Sequence, residues 1–71
     1  MLSFAEKVRV ILQRRKMTQA DLARLIGISP HNMVNKMRRN NFSERDMLKI
    51  TEALNCDFDL KITMRDTNDI L

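Results

Sequence analysis

The side chains with the clearest chemical potential are the polar and basic residues that crowd positions 30–45. His31, Asn35 and Arg38 are spaced i, i+4 and i+7, which places them on one face of a helix. Asparagine can pair with adenine, and arginine or lysine with guanine, through the base edges exposed in the major groove of DNA. The candidates for base contacts are His31, Asn32, Asn35 and Lys36. A lone histidine on such a face is also typical of a solvated surface residue.

The end of the same helix and the residues after it are better suited to phosphate groups. Phosphate contacts set the register and the affinity of a DNA complex, whereas base contacts set its sequence preference. The candidates there are Arg38, Arg39, Asn40, Asn41, Ser43 and Arg45. Basic side chains also stabilise the carboxyl end of a helix dipole, so Arg38 and Arg39 have a purely structural alternative.

Neither catalysis nor metal binding finds support in the residue inventory. Asp21, Ser29 and His31 occur in the chain, but the first two have spacings typical of helix capping and no pair of carboxylates lies in an apolar stretch. A single histidine and a single cysteine, Cys56, cannot supply a four-ligand zinc site. The six methionines suit an aliphatic core, in which Cys56 would be a small buried residue. We predict no enzymatic activity, no metal and no cofactor.

The composition indicates one small helical domain, residues 1–71, in a cytoplasmic, nucleoid-associated protein. The chain has 71 residues with a single Gly and a single Pro, too few for many tight turns, and no apolar run that would span a membrane. Its net charge of +4 is uneven. Residues 1–45 hold ten basic and three acidic side chains, whereas residues 46–71 hold three and six. A basic first part predicts a polyanionic partner that meets only that part.

Hydrophobic periodicity and capping residues predict four helices. They run from Phe4 to about Arg15, from Thr18 to Gly27, from Pro30 to about Arg39, and from Ser43 to about Asn55. Gly27 falls where a helix ends in the left-handed conformation, and Ser29 can cap the next helix two residues later. A helix, a short turn and a fresh helix outline a helix–turn–helix.

From Asp57 to Arg65 the periodicity changes to two, which predicts a strand. Its apolar side consists of Phe58, Leu60, Ile62 and Met64. No second strand candidate exists in the chain, and a lone strand leaves its backbone groups unpaired. We therefore predict a homodimer joined by the strand at 57–65, with residues 66–71 as a flexible tail. The open alternatives are an arm packed on its own helices and pairing with a different protein.

The stretch TQADLARLIGIS followed by PHNMVNKMRR resembles the helix–turn–helix of the lambda repressor/Cro-type DNA-binding family. Gln19 matches the glutamine that opens the family motif, Ala23 the small residue at the helix crossing, Gly27 the turn glycine and Ser29 the cap. The resemblance covers residues 3–55. Lys36 departs from it, because the family usually has an apolar residue there and this chain has its apolar residue one position later. Many members have a fifth helix where this chain has the predicted strand. In that respect the chain is similar to the small Cro-like proteins.

This resemblance implies a mainly α, four-helix phage-repressor-like domain whose second and third helices form the motif. It implies a sequence-specific transcriptional regulator, a homodimeric repressor that occludes an inverted-repeat operator in double-stranded DNA. Gln19 would support a phosphate or a base-reading side chain. The remaining predicted phosphate or supporting contacts are Lys16, Thr18 and Ser29. The alternative is an antitoxin-like or accessory interaction module whose strand pairs with another protein. A non-specific nucleic-acid or RNA binder is disfavoured because the chain offers no aromatic platform for base stacking.

Overall fold

The computed structural model describes residues 1–71 and contains four helices. Their bounds are α1 Phe4–Arg14, α2 Gln19–Ile26, α3 Pro30–Arg39 and α4 Glu44–Ala53. The four predicted helices are confirmed, and their ends differ from the predicted ends by at most two residues. None of the four helices is long and apolar enough to cross a membrane.

Each helix begins after a serine or threonine whose hydroxyl accepts a hydrogen bond from a backbone N–H in the first turn. These cap residues are Ser3, Thr18, Ser29 and Ser43. In the first turn of α1, α2 and α4 an acidic side chain completes a capping box, because its carboxylate accepts the backbone N–H of the cap residue. That N–H is the main reason why the pKa of Glu6 and of Asp21 lies below its usual range. The starts of the helices are therefore fixed by local chemistry.

Two helix ends are fixed by residues in the left-handed region. Gly27 closes α2 with φ 80°, and Asn40 closes α3 with φ 50°. No heavy atom lies within 4 Å of the position that a Cβ on Gly27 would take, so the backbone conformation rather than space favours glycine there. The tight turn at Gly27 leaves only three residues, 27–29, between the end of α2 and the start of α3.

The core consists of nine buried apolar side chains drawn from all four helices. They are Ala5, Val8, Leu12, Leu22, Ala23, Met33, Met37, Ile50 and Leu54. Helix α2 lies at the centre and packs against both α3 and α4. At one edge the ring of Phe4 makes an edge-to-face contact with that of Phe42, with centroids 5.0 Å apart. Cys56 is half-buried and packs against the rim of the same core.

The segment that follows α4 does not form a strand in this structure. It leaves the helical body at Phe58, whose ring lies 6.1 Å from that of Phe4, and turns back on itself after Met64. Thr63 and Ile70 form one isolated antiparallel bridge. The strand predicted at 57–65 is absent because a single chain supplies no second strand alongside residues 57–61; the strand and its pairing across a dimer stay predictions.

Candidate nucleic-acid interface

Helix α3 is held by two methionines and turns its polar side outward. Met33 and Met37 are one helical turn apart, and both are buried in the core. The exposed and half-exposed polar side chains of the helix are His31, Asn32, Asn35, Lys36, Arg38 and Arg39. None of them is acidic, so the outer side of α3 combines hydrogen-bonding groups with positive charge.

Three of these side chains form a hydrogen-bonded row along the helix. The amide of Asn35 donates from Nδ2 to Nε2 of His31 at 3.3 Å. Its Oδ1 accepts a hydrogen bond from Nη2 of Arg38 at 3.0 Å. Arg38 can donate but not accept, so it fixes which end of the amide faces each neighbour. The row predicted from the i, i+4, i+7 spacing is therefore present as a connected set of side chains.

A second row borders a polar groove beside the first. The groove is lined by Asn32, Asn35, Lys36, Arg39 and Asn41, with no apolar side chain among them. All five belong to the predicted base or phosphate contacts, and Asn35 is shared between the row and the groove. Neither Arg39 nor Asn32 makes a side-chain hydrogen bond within the chain, so their polar ends are available to a ligand.

Lys36 is placed differently from the other predicted base contacts. Its Nζ lies 3.0 Å from Oδ2 of Asp46, which joins α3 to the first turn of α4. Its side chain borders a crevice with Ile26, Ile28 and Ile50. The lysine thus covers apolar surface with its methylene chain and carries its charge to the carboxylate. Lys36 therefore joins α3 to α4 through an ion pair and through its methylene chain.

Asp46 is a site residue that sequence reasoning did not identify. Its carboxylate accepts the backbone N–H of Ser43 at 3.0 Å and also receives Lys36. The hydrogen bond from the Ser43 N–H has the largest effect in holding the pKa of Asp46 below its usual range, and the hydrogen bond from Lys36 has the next largest. The charge on Asp46 thereby neutralises part of the positive charge of Lys36. The capping box before α4 was the only sequence signal at this position.

Asn40 has a structural role in addition to its predicted phosphate contact. Its Oδ1 accepts the backbone N–H of Ala5 at 3.0 Å, so the end of α3 satisfies a donor in the first turn of α1. Arg9 of α1 lies against the same end of α3, with Nη2 3.5 Å from the carbonyl oxygen of Met37. Neither contact had a sequence signal, because both join residues about thirty positions apart.

Two substitutions at Asn40 separate its two structural roles. Asn40→Gly keeps the left-handed conformation but removes the hydrogen bond to Ala5, and it is expected to lower the free energy of unfolding by about 0.5–1.5 kcal/mol. Asn40→Ala is expected to cost about 1–2 kcal/mol more, because alanine disfavours positive φ. Urea denaturation of both variants measures the difference. Equal losses would contradict the conformational role, and an unchanged Asn40→Gly variant would contradict the role of the hydrogen bond.

The other predicted phosphate or supporting residues lie around the ends of the helices. The hydroxyls of Thr18, Ser29 and Ser43 already accept backbone N–H groups as caps. Gln19, the first residue of α2, is half-buried, and Lys16 is exposed with φ 55°. The last two predicted contacts on this side, Asn41 and Arg45, are exposed. Nowhere do three or more His, Cys, Asp or Glu side chains come together in a way that could hold a metal ion.

Comparison with known families identifies the motif. The family model described as the Cro/C1-type HTH DNA-binding domain matches residues 7–59, which include all of α2, α3 and α4 and most of α1. The match extends past α4 to the start of the C-terminal segment. No curated protein and no solved structure matches the chain.

Proposed function

Since the chain belongs to the Cro/C1-type HTH DNA-binding domain family, we propose that it is a homodimeric transcriptional repressor that binds an inverted-repeat operator and blocks access of the polymerase. Each copy inserts α3 into the major groove of one half-site. In a two-fold symmetric dimer the two helices then enter successive grooves about 34 Å apart on one side of the duplex.

The observation that carries this proposal is the outer side of α3. It bears asparagine, histidine, lysine and arginine without a single acid, and its inner side is fixed by Met33 and Met37. A rigid helix of this kind fits the major groove, where asparagine and arginine distinguish base pairs. We assign base reading to His31, Asn32, Asn35 and Lys36, with Asn35 at the centre.

Around these residues, a set of cationic and polar groups is assigned to the phosphates. It consists of Lys16, Thr18, Gln19, Ser29, Arg38, Arg39, Asn40, Asn41, Ser43 and Arg45. The cap residues Thr18, Ser29 and Ser43 lie at helix amino ends, where backbone N–H groups and the helix dipole favour anions. These contacts place α3 in register before any base is read.

The C-terminal segment supports the proposed dimer. Leu60 and Ile62 are 55% and 65% exposed, and Met64 and Leu71 are exposed beside them. A monomer of 71 residues that exposes these apolar side chains in one segment gains stability by covering them with a second copy. Phe58, the fourth predicted interface residue, packs partly on Phe4 of its own chain.

Replacing Asn35 tests the assignment of base reading. Asn35→Ala is expected to weaken binding to the preferred duplex by about 1–3 kcal/mol for each half-site, because alanine loses both hydrogen bonds to a base. Binding to random DNA is expected to change little. Fluorescence anisotropy with the preferred and a scrambled duplex measures both affinities, and Gln13→Ala on the exposed side of α1 is the control. Equal loss on the two duplexes would contradict base reading by Asn35.

The second candidate function is a protein-interaction module whose C-terminal segment pairs with a different protein. The unpaired backbone of residues 57–61 is the observation that favours it. Light scattering of the pure protein separates the candidates, because a self-paired protein gives about twice the chain mass of 8.4 kDa. A monomer would favour the interaction module.

A further inference from the structure

The backbone of the C-terminal segment carries more information than its side-chain alternation. No backbone N–H or C=O of residues 57–61 is hydrogen-bonded within the chain. Further on, Ile62 accepts the N–H of Leu71 at 2.8 Å, and Met64 donates to Asp69 at 2.8 Å. Residues 69–71, here called the return segment, therefore lie along one edge of residues 62–64 and leave the other edge open.

The hydrogen-bonding pattern identifies which residues face the open edge. In an extended chain the N–H and C=O of one residue point to the same side, and those of the next residue point to the opposite side. The backbone groups of Ile62 and Met64 point toward the return segment. The backbone groups of the odd-numbered residues therefore point to the opposite, open edge. An extended chain from Asp57 to Thr63 directs the N–H and C=O groups of Asp57, Asp59, Lys61 and Thr63 to this open edge.

We propose that a second copy pairs antiparallel along this edge with the two-fold axis at Leu60, so that two hairpins join into one intermolecular sheet. The proposal rests on the proposed homodimer and specifies how its strands align. In this register Asp59 and Lys61 of the second copy form a hydrogen-bonded pair that exchanges two backbone hydrogen bonds. The symmetry repeats this pair on the other side of the axis.

Charge favours this register over its neighbours. Moving the axis to Asp59 or to Lys61 places that residue opposite its own copy, and such a like-charge pair destabilises a sheet. The axis at Asp59 also pairs Asp57 with Lys61 of the second copy, but only the axis at Leu60 forms two opposite-charge pairs before the turn without a like-charge pair. With the axis at Leu60, each Asp59 instead faces a lysine. Opposite charges across a strand pair contribute about 0.2–1 kcal/mol each, and symmetry provides two such pairs.

The turn excludes the other register that pairs opposite charges without placing like charges opposite each other. With the axis at Ile62, Asp59 would face Arg65 of the second copy. Arg65, however, lies in the turn that reverses the chain, and therefore cannot continue the ladder. The register centred on Leu60 uses only residues 57–63, all of which precede the turn.

The apolar side chains fit the same alignment. Leu60 meets its own copy across the axis, and Phe58 stands opposite Ile62 of the second copy. Phe58 lies against Phe4, which in turn contacts Phe42. Ile62, 65% exposed in one chain, would therefore extend this aromatic cluster of the neighbouring copy. The intermolecular sheet therefore both covers the exposed apolar side chains and supplies hydrogen-bond partners for the N–H and C=O groups of the open edge.

Disulfide trapping tests the register with two matched variants. In a Cys56→Ser background, Leu60→Cys and Ile62→Cys each introduce one thiol on the same side of the segment. The two Leu60 positions form a non-hydrogen-bonded pair with Cα atoms about 4.5 Å apart, within disulfide range, whereas the two Ile62 positions lie about 14 Å apart. With oxidised glutathione, Leu60→Cys is expected to convert to a covalent dimer at least tenfold faster than Ile62→Cys.

The outcomes separate this proposal from the proposed repressor function, because the readout requires no DNA. Faster trapping of Ile62→Cys would overturn the register. A dimer by light scattering that neither cysteine traps would overturn pairing along this edge, and a monomer would overturn the dimer itself. Thermal unfolding of both variants confirms that each remains folded at the temperature of the assay.

Charge reversal gives an independent measurement on the same pair. Asp59→Lys places lysine opposite Lys61 on both sides of the axis and is expected to raise the dimer Kd roughly ten- to hundredfold. Asp59→Lys combined with Lys61→Asp restores opposite charges and is expected to return the Kd to within a few fold of the starting value. Failure of the double variant to recover would contradict the pairing of Asp59 with Lys61.

Discussion

Raising the salt concentration from 50 to 200 mM is expected to weaken DNA binding by about 10³–10⁵-fold. In each copy the proposed phosphate contacts include four cationic side chains, Lys16, Arg38, Arg39 and Arg45. A dimer therefore neutralises several phosphate charges and releases the cations condensed on them. Binding then becomes steeply salt-dependent, because releasing those cations is less favourable in concentrated salt. Anisotropy titrations at several salt concentrations give the slope of log affinity against log salt.

Single substitutions show which basic residues contribute to the slope of log affinity against log salt. Arg39→Ala removes one cation per copy from the polar groove and is expected to flatten the slope by about two units in a dimer. Lys7→Ala removes an equal charge from a separate groove that Phe58 also lines, and it is expected to leave the slope unchanged. A flat salt response of the unaltered protein, or equal effects of the two substitutions, would contradict the proposed phosphate-binding surface.

Truncating the central core residue is expected to have the largest effect on stability. Leu22 of α2 is fully buried where α2 packs against α3 and α4. Leu22→Ala removes the burial of the side chain and leaves a cavity, with an expected loss of about 2–5 kcal/mol in the free energy of unfolding. Small domains have a total of about 5–15 kcal/mol, so this loss is a large part of the whole.

Leu25 provides a matched control on the same helix. It is 59% exposed, and Leu25→Ala is expected to change the free energy of unfolding by less than about 0.5 kcal/mol. Urea denaturation monitored by circular dichroism compares the two variants directly. Losses of similar size would show that α2 does not pack as described. They would also contradict the packing of α3 against α2.

The helices could be predicted because their starts and ends are decided locally. Ser3, Ser29 and Ser43 each accept a backbone N–H within their own first turn, and Gly27 takes the positive φ that ends α2. Such signals involve neighbours three or four positions apart. The polar row on α3 was predictable for the same reason, since helical spacing alone aligns His31 with Asn35.

Contacts between distant residues were not predictable from these patterns. Lys36 is among the predicted base contacts, but no sequence pattern indicated that its ammonium group also lies beside Asp46 on another helix. Asn40 was expected to contact phosphate, yet its amide oxygen also binds the N–H of Ala5. Each contact depends on the packing angle between helices, which hydrophobic periodicity does not specify.

The C-terminal segment was predictable only in part. Its alternation predicts extended backbone, but the partner of that backbone is not encoded by the alternation. The return of the chain through the Thr63–Ile70 bridge gave no signal in the sequence, because residues 66–71 contain no alternating run. The bridge nevertheless determines which edge remains open for a second copy.

Selection of bound duplexes from a random DNA pool at about 150 mM salt, with competitor DNA present, tests the central claim most directly. The proposed repressor predicts enrichment of an inverted repeat whose half-site centres are about 34 Å, one helical turn, apart. Repeating the selection with Asn35→Ala is expected to relax the preference at one base pair in each half-site. A pool that stays random despite binding would contradict sequence-specific recognition by α3.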